Sequence, residues 1–261
     1  MIKPYSKITT IDMWTDPYIS KQMLSYHLSY DNDIASRKLS TIEATTKFLT
    51  EYLGSPKTIC DFGCGPGLYT NFLEQHGHTV IGVDVSETSL DYARKENKNV
   101  QYLNMNYIAN TLDTKIDVAM MMYLDFGAMK PEDLSKFLHN VHSTLKIGGL
   151  FFFDVYSIYR FDTIKEVKTS HEETDGFFME GPCAITSTLT KYEGQHITLS
   201  HDKAVGQRTI ELYNWDKHYT RSAMNELMTQ HGFQVIDVFS DTIGNQKFGY
   251  NEIYLFVATT V

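Results

Sequence analysis

Apolar and polar residues follow two different patterns along the chain. Seven short, nearly continuous apolar runs lie between residues 57 and 261, and segments with helical spacing of apolar residues separate most of them. Continuous apolar runs are typical of parallel strands that are covered on both faces. This alternation of strand and helix predicts an α/β fold with a doubly wound, mostly parallel, seven-stranded sheet.

Two regions depart from this alternation of strand and helix. Residues 1–54 are predicted to be mostly helical, with a helix end at Gly54. Residues 158–220 alternate apolar and polar positions, which predicts two or three antiparallel strands in a lid or an added sheet. We therefore expect an N-terminal helical cap over the binding site at 1–54, a core domain at 55–157 and 221–261, and an inserted β region at 158–220.

The segment DFGCGPG connects the first apolar run to a helical segment. Glycine is needed where the backbone must pass close to a ligand or where φ is positive. A dinucleotide motif, G-x-G-x-x-G, would need a glycine at position 68, which is leucine. Asp61, two residues before the first glycine, disfavours an anionic pyrophosphate, and Asp84, which ends the next apolar run, can accept both hydroxyls of a ribose. The pattern predicts a nucleoside ligand with a positively charged or zwitterionic tail.

These residues resemble two motifs of the class I S-adenosylmethionine-dependent methyltransferase superfamily. The stretch from Asp61 to Gly67 matches D/E-x-G-x-G-x-G, and Asp84 matches the acid at the end of the second strand. The resemblance covers residues 55–156 and the terminal helix and strands, and the N-terminal pattern is similar to that of an uncharacterised group of bacterial small-molecule methyltransferases. It implies a Rossmann-like fold, S-adenosyl-L-methionine as cofactor and S-adenosyl-L-homocysteine as product.

The resemblance also implies where the cofactor would bind. The three glycines would line its methionine part, Asp84 would hold the ribose, and Asn106 would take the place of the superfamily's usual aspartate at the adenine amino group. Arg37 lies either at the surface or against the cofactor's carboxylate. The residues expected at the cofactor are Asp61, Gly63, Cys64, Gly65, Gly67, Asp84, Val85, Met105, Asn106, Met122 and Arg37.

Candidate residues for the acceptor side follow the fourth and fifth strands, because open parallel sheets bind ligands at their carboxyl ends. Asp125 would orient an amine or accept its proton, whereas Asp154 is either a substrate residue or a turn acid. The expected catalytic residues are Tyr123, Asp125, Asp154 and Tyr156. The aromatic residues of the insertion wall a small-molecule pocket or form a homodimer interface, and the sequence does not separate these two readings.

Composition bears on partners and location. The formal net charge is −9 and no basic stripe exists, which disfavours nucleic acid and anionic membrane surfaces as partners. No apolar window has the length of a membrane span or of a signal peptide core. The three cysteines lack disulfide or zinc spacing and indicate reduced thiols in a cytoplasm, with no metal site.

The function expected from these features is methyl transfer to an N or O atom of a small neutral or cationic acceptor, by in-line displacement. Two alternatives stay open at this point. One is an NAD(P)-dependent oxidoreductase on a related sheet, and the other is a protein that binds S-adenosylmethionine without catalysis.

Overall fold

The computed structural model describes residues 2–261, whose strands form one seven-stranded and one four-stranded sheet. The larger sheet contains β1 (Thr58–Phe62), β2 (Thr79–Asp84), β3 (Gln101–Asn104), β4 (Ile116–Met121), β5 (Leu145–Tyr156), β10 (Phe233–Phe239) and β11 (Ile253–Thr260). The smaller sheet contains β6 (Val167–Glu173), β7 (Cys183–Tyr192), β8 (Ile197–Val205) and β9 (Thr209–Lys217).

Eight α-helices connect or cover these strands in the described part of the chain. They are α1 (Ile19–His27), α2 (Leu39–Leu53), α3 (Leu68–Gln75), α4 (Glu87–Glu96), α5 (Asp125–Ala128), α6 (Pro131–Thr144), α7 (Ile158–Thr163) and α8 (Arg221–Gln230). Within residues 2–261, none of them is long and apolar enough to cross a membrane.

The larger sheet has the strand order β10-β11-β5-β4-β1-β2-β3. Strands β1 to β5 are mutually parallel, and β11 is antiparallel to both β5 and β10. The chain moves outwards from β1 to β3 and then returns to the other side of β1 with β4. Open sheets bind ligands at such a switch point, beside the carboxyl ends of the strands. The predicted doubly wound, mostly parallel sheet with an inserted antiparallel sheet is confirmed.

The run Leu-Phe-Phe-Phe in β5 shows why the strands are continuously apolar. Phe151 and Phe153 pack on one face of the sheet with Phe137 of α6. Phe152 points to the opposite face, into the cluster that contains Leu73 of α3. Successive side chains of a strand alternate between faces, so a sheet covered on both sides buries every position.

The predicted helix boundaries are set by local chemistry. Gly54 ends α2 in the left-handed region with φ 68°. The Ser86 hydroxyl accepts the backbone N–H of Ser89 at the start of α4, and Pro131 is the first residue of α6. The end at Gly54 confirms the sequence prediction.

The added sheet has four strands, where the sequence predicted two or three. The strand that the sequence did not reveal is β6, whose residues read VKTSHEE and are exposed along almost the whole strand. It pairs only with β7, at the edge of the sheet, and buries neither face. Without a buried face there is no apolar alternation for the sequence to show.

The N-terminal region is less helical than predicted, since only α1 and α2 are helices. Much of the segment before α1 runs along the added sheet instead. The backbone N–H of Thr10 donates to the carbonyl of Glu211 at 3.0 Å, and the indole N–H of Trp215 donates to the carbonyl of Lys7 at 3.1 Å. This segment therefore joins the added sheet to the rest of the chain, while the division into a cap, a core and an insertion stays a prediction.

Candidate active site

The glycine-rich turn lies between β1 and α3, at the switch point of the sheet. Gly63, Gly65 and Gly67 have φ values of 81°, 52° and 81°. A Cβ on Gly63 would lie 2.8 Å from Oδ2 of Asp125, and a Cβ on Gly67 would lie 2.5 Å from the hydroxyl of Tyr102. Both the backbone conformation and the space therefore require glycine at these two positions.

Replacing Gly67 with alanine is expected to lower the free energy of unfolding by about 1–3 kcal/mol, because the variant combines a left-handed residue with a steric clash. Urea unfolding of both proteins measures the difference. Gly194→Ala is the matched control, since a Cβ there meets nothing within 4 Å and φ is not positive. An equal loss of stability in the two variants would contradict this reading of the turn.

Asp84 connects the end of β2 to the glycine turn. Its Oδ2 accepts the N–H of Gly65 and its Oδ1 accepts the N–H of Ser86, each at 2.8 Å. Burial raises the pKa of this carboxyl, and hydrogen bonds from the backbone N–H groups of Ser86, Gly65 and Val85 oppose that shift. Each carboxylate oxygen can accept more than one hydrogen bond, so Asp84 keeps acceptor capacity toward the cavity that it lines.

Asp61 lies beneath the same turn and is 2% exposed. Its Oδ2 has no hydrogen-bond partner within residues 2–261. Burial, and next the charge of Asp84, raise the pKa of Asp61 to about 8. A buried carboxylate oxygen without a partner is costly, and a cationic ligand group at this turn would compensate it.

The turn after β4 is held by groups from distant parts of the chain. Tyr123 and Leu124 both have left-handed backbones, with φ 71° and 76°. Asp154 accepts the N–H of Leu124 at 2.9 Å through Oδ1 and forms an ion pair with Arg37 through Oδ2. The Arg37 guanidinium lies 5.6 Å from the centre of the Tyr123 ring, and the Tyr123 hydroxyl donates to the carbonyl of Asp33. This network fixes the backbone at the next residue, Asp125, where α5 begins.

Asp125 is that next residue, and it lies against the glycine turn. No hydrogen bond or ion pair of its carboxyl group is present within residues 2–261. Burial raises the pKa of Asp125 to about 8, with smaller contributions from the charges of Asp84, Asp154 and other carboxylates. The site therefore holds three carboxyl groups with raised pKa values, Asp61, Asp84 and Asp125, within reach of one ligand.

These elements open into a cavity of about 1010 Å³ between the larger sheet, the N-terminal region and the added sheet. Ten of the residues predicted from the sequence line it: Asp61, Gly63, Cys64, Gly65, Asp84, Val85, Met122, Tyr123, Asp125 and Tyr156. Five others do not line it: Arg37, Gly67, Met105, Asn106 and Asp154.

The residues outside the cavity have other contacts. Asn106 is exposed, and its side-chain oxygen accepts the N–H groups of Ile108 and Ala109 at 2.9 and 3.2 Å, which closes a local turn. The N–H of Met105 donates to the carbonyl of Asp84 at 2.9 Å. Asp154 and Arg37 bind each other, so in this structure both support the turn after β4 rather than face the cavity.

Several cavity residues were not singled out from the sequence. Tyr107 and Ile108 line the cavity just after β3. They directly follow Asn106, and this position after the third strand is the sequence feature that could have identified them. Four polar residues of the added sheet also line it: Ser200, Asp202, Asn214 and Asp216. They recur at every second position of β8 and β9, so strand periodicity was the signal that could have found them.

His27 lies over the glycine turn, with its ring 3.8 Å from where a Cβ of Gly65 would be. Its Nδ1 is hydrogen-bonded to the hydroxyl of Ser36 at 2.7 Å. Burial lowers the pKa of His27 to about 4, so the ring is neutral at neutral pH. Trp14, Tyr26 and His27 all line the cavity, whereas His218 is buried against Thr198 and the carbonyl of Ser157.

The site lies within a segment that matches a known protein family. A family model described as a methyltransferase domain matches residues 59–149, which contain the glycine turn, Asp84 and the turn after β4. For this segment the match agrees with the resemblance to class I S-adenosylmethionine-dependent methyltransferases that the sequence indicated. The glycine turn and the unpartnered Oδ2 of Asp61 fit a nucleoside cofactor with a cationic tail.

The chain resembles other proteins over different shares of its length. It is 34% identical over 103 residues to the ubiquinone biosynthesis O-methyltransferase of Coxiella burnetii, a match that covers 37% of this chain and 42% of that protein. It is 24% identical over 222 residues to a protein of Geobacillus sp. (strain WCH70) whose name assigns it to the methyltransferases, covering 77% and 84%. The structure of the CcbJ methyltransferase from Streptomyces caelestis shares the fold, with a TM-score of 0.72, 13% identity and coverage of 94% and 98%. The match thus spans about two fifths of the length of the Coxiella relative.

Proposed function

We propose that this protein transfers the methyl group of S-adenosylmethionine to an N or O atom of a small-molecule acceptor. The observation that carries the proposal is one cavity in which the glycine turn, Asp84 and the unpartnered Asp61 meet at the switch point of the sheet. The added sheet and the N-terminal region supply the opposite wall of that cavity. One part of the cavity thus suits a nucleoside, and the remainder suits a second reactant.

The cofactor side follows from the groups around the glycine turn. Asp84 would accept the ribose hydroxyls with the capacity that its two backbone contacts leave free. The backbone at Gly63 and Gly65 would lie along the methionine part, and Asp61 would balance a positive charge there. Cys64, Val85 and Met122 line the same part of the cavity. Roles for Arg37, Gly67, Met105 and Asn106 at the cofactor remain predictions with no cavity contact to support them.

Methyl transfer from a sulfonium needs few proton movements and depends on alignment. S-adenosylmethionine supplies the electrophilic methyl group when it is bound. Holding two reactants in line contributes about 7–11 kcal/mol in well-oriented systems. In this chain the rigid turn after β4, held by Asp154 and Arg37, would fix Tyr123 and Asp125 beside the reacting atoms. Aromatic walls from Trp14, Tyr156 and Phe177 would exclude water from the same space.

A small acceptor is favoured over a polymer. The cavity is covered by the N-terminal region and the added sheet, and its lining contains seven aspartates and one lysine. An acidic wall of this kind repels nucleic-acid phosphates. The Coxiella burnetii relative is named for O-methylation in the biosynthesis of ubiquinone, which is also a small molecule.

We also place the reaction in the cytoplasm. Cys60, Cys64 and Cys183 are free and buried, and none of them forms a disulfide in the described chain. Free buried thiols are typical of reducing compartments. Fractionation of cells that express a tagged full-length chain tests this placement.

The fate of labelled methyl groups tests the proposed function. The protein is incubated with methyl-labelled S-adenosylmethionine and, separately, with the fractions of a bacterial extract below and above 3 kDa. We expect S-adenosylhomocysteine to form and label to enter the small fraction, with Asp84→Ala as the inactive control. Label confined to the large fraction would contradict a small acceptor, and cofactor binding without turnover on either fraction would favour a binding protein.

Cofactor binding is also expected to release protons at pH 7. Free Asp61 has a pKa of about 8 and is mostly protonated at this pH, whereas a neighbouring cation lowers the pKa and ionises the group. Calorimetry in phosphate and in Tris measures the release, which we expect to approach about one proton per site from Asp61 and to fade toward pH 9. Asp61→Asn is nearly isosteric with the protonated acid and should remove this part of the release. Equal release from the variant and the wild type would contradict the assignment.

A further inference from the structure

The added sheet presents a polar face to the cavity. In the register of β8 with β9, Ser200 pairs with Asn214, and Asp202 and Asp216 occupy neighbouring positions on the same side. All four residues line the cavity. Leu199 and Trp215, at the alternate positions, lie in a separate apolar cluster on the other side of the sheet. The cavity-facing positions of these two strands are therefore mostly polar, with Leu212 as an apolar exception.

The charges on the cavity wall are almost all negative. Lys130 is the one lysine among the lining residues, and it is paired with Asp133 at 3.4 Å. Asp12 accepts the N–H of Trp14 at 3.1 Å. Asp202 and Asp216, in contrast, have no hydrogen bond or ion pair within residues 2–261. Two carboxylates on the acceptor side of the cavity are thus left without a compensating group.

Asp216 and Asp125 line the same cavity from two elements that pack against each other, since a Cβ on Gly127 of α5 would lie 3.0 Å from the carbonyl oxygen of Lys217 in β9. The charge of Asp216 is also among the smaller causes that raise the pKa of Asp125. Burial also raises the pKa of Asp216, to about 6, and the positive charge of Arg160 opposes that shift. Arg160 does not line the cavity, since its guanidinium lies over the Tyr156 ring and is paired with Glu252 at 2.8 Å. Among the described lining residues, the one lysine is already paired, so no free cation lies beside Asp216.

We propose that the methyl acceptor is an amine that enters the cavity as an ammonium ion and is bound by Asp216 of the added sheet, in the cavity that Asp125 also lines. This inference rests on the proposed function, whose cofactor site lies on the other side of Asp125. The ammonium group gives one proton to the Asp216 carboxylate, and the freed nitrogen lone pair forms the new N–C bond. The S–C bond breaks with its electron pair going to sulfur, which leaves S-adenosylhomocysteine and a methylated ammonium ion.

Other acceptor classes fit this wall less well. An anionic acceptor would meet Asp125, Asp202 and Asp216 with no free cation beside them. A neutral alcohol would leave the partly buried carboxylate of Asp216 uncompensated, and an unpaired charge away from water is costly. The family match ends at residue 149 and does not include the added sheet, so this wall is a feature of the chain rather than of the matched domain.

Binding of matched amines and alcohols tests the proposal without knowledge of the natural acceptor. The full-length protein is saturated with S-adenosylhomocysteine and titrated with three pairs of probes: tyramine and tyrosol, 1,4-diaminobutane and 1,4-butanediol, and glucosamine and glucose. The same titrations are made with Asp216→Asn. Glu193→Gln is the control, since it removes one negative charge from a side chain that is 75% exposed, in the turn between β7 and β8 of the same sheet.

We expect at least one amine to bind about tenfold or more tightly than its alcohol, the scale of a hydrogen bond to a charged group. This preference should fall to within about threefold in Asp216→Asn and persist in Glu193→Gln. If no amine is preferred, or if Asp216→Asn keeps the preference, the proposal is wrong while cofactor binding leaves the proposed function standing. If wild type does not bind S-adenosylhomocysteine, the proposed function itself fails. If Asp216→Asn does not fold, Asp216→Ser takes its place in the same titrations, and the wild-type comparison still tests the preference for an amine.

Discussion

Replacing Asp154 with asparagine is expected to lower the free energy of unfolding by about 3 kcal/mol, because the substitution removes one partner of a buried ion pair. Asp154 is fully buried, and the Arg37 side chain beside it is 13% exposed. Asparagine has nearly the same shape and can still accept the N–H of Leu124. The loss therefore reports mainly on the uncompensated charge of Arg37, and urea unfolding measures it.

An exposed ion pair serves as the control for that experiment. Glu87 pairs with Arg94 at 2.6 Å, with side chains that are 56% and 37% exposed. Glu87→Gln should change the free energy of unfolding by less than about 1 kcal/mol, as for other surface pairs. The double variant Arg37→Met with Asp154→Leu removes both charges and should cost less than Asp154→Asn alone. If Asp154→Asn costs no more than Glu87→Gln, Asp154 is not the support of the turn after β4.

The second large effect is expected at Asp84. Replacing it with alanine should weaken the binding of S-adenosylmethionine by about 10- to 100-fold, because a carboxylate that accepts ribose hydroxyls contributes roughly 1.5–3 kcal/mol per charged hydrogen bond. The variant also removes the acceptor of the Gly65 N–H, so the glycine turn loses a contact as well. Calorimetric titration of both proteins measures the change.

Asp91→Ala controls for charge near the site. Asp91 lies on α4, a few residues after Asp84, and its contact with Arg94 is exposed. Its removal should leave cofactor affinity unchanged. Unaltered affinity in Asp84→Ala would contradict the ribose assignment, provided that urea unfolding shows the variant to be folded.

The larger sheet could be predicted from the sequence because its signals are local. Each buried strand is an apolar run, and Gly54, Ser86 and Pro131 mark helix ends through their own backbone or side-chain chemistry. The sequence did not predict β6, because neither face of this strand is buried. The position of the segment before α1 was not predicted either. Its hydrogen-bond partners are Glu211 and Trp215, which only the folded chain brings near it.

The same distinction applies to the candidate site. Asp61, the glycines and Asp84 could be assigned because they lie in one short stretch whose spacing has a chemical meaning. The contact of Arg37 with Asp154 joins residues that are 117 positions apart, and no local pattern reveals it. Asn106 was placed at the adenine by its position after the third strand, but its side chain closes a turn of its own. Asp216 was missed because the alternation in its strand groups it with Asn214 on one face, but only the folded chain shows that this face meets the cavity.

The central claim is that the cavity at the switch point binds an adenosyl sulfur cofactor. Calorimetric titration of the wild-type protein with S-adenosylmethionine, S-adenosylhomocysteine and NAD tests it most directly. The account predicts micromolar binding of the two sulfur compounds and weaker or no binding of NAD. Preference for NAD, or no binding of either sulfur compound, would contradict it.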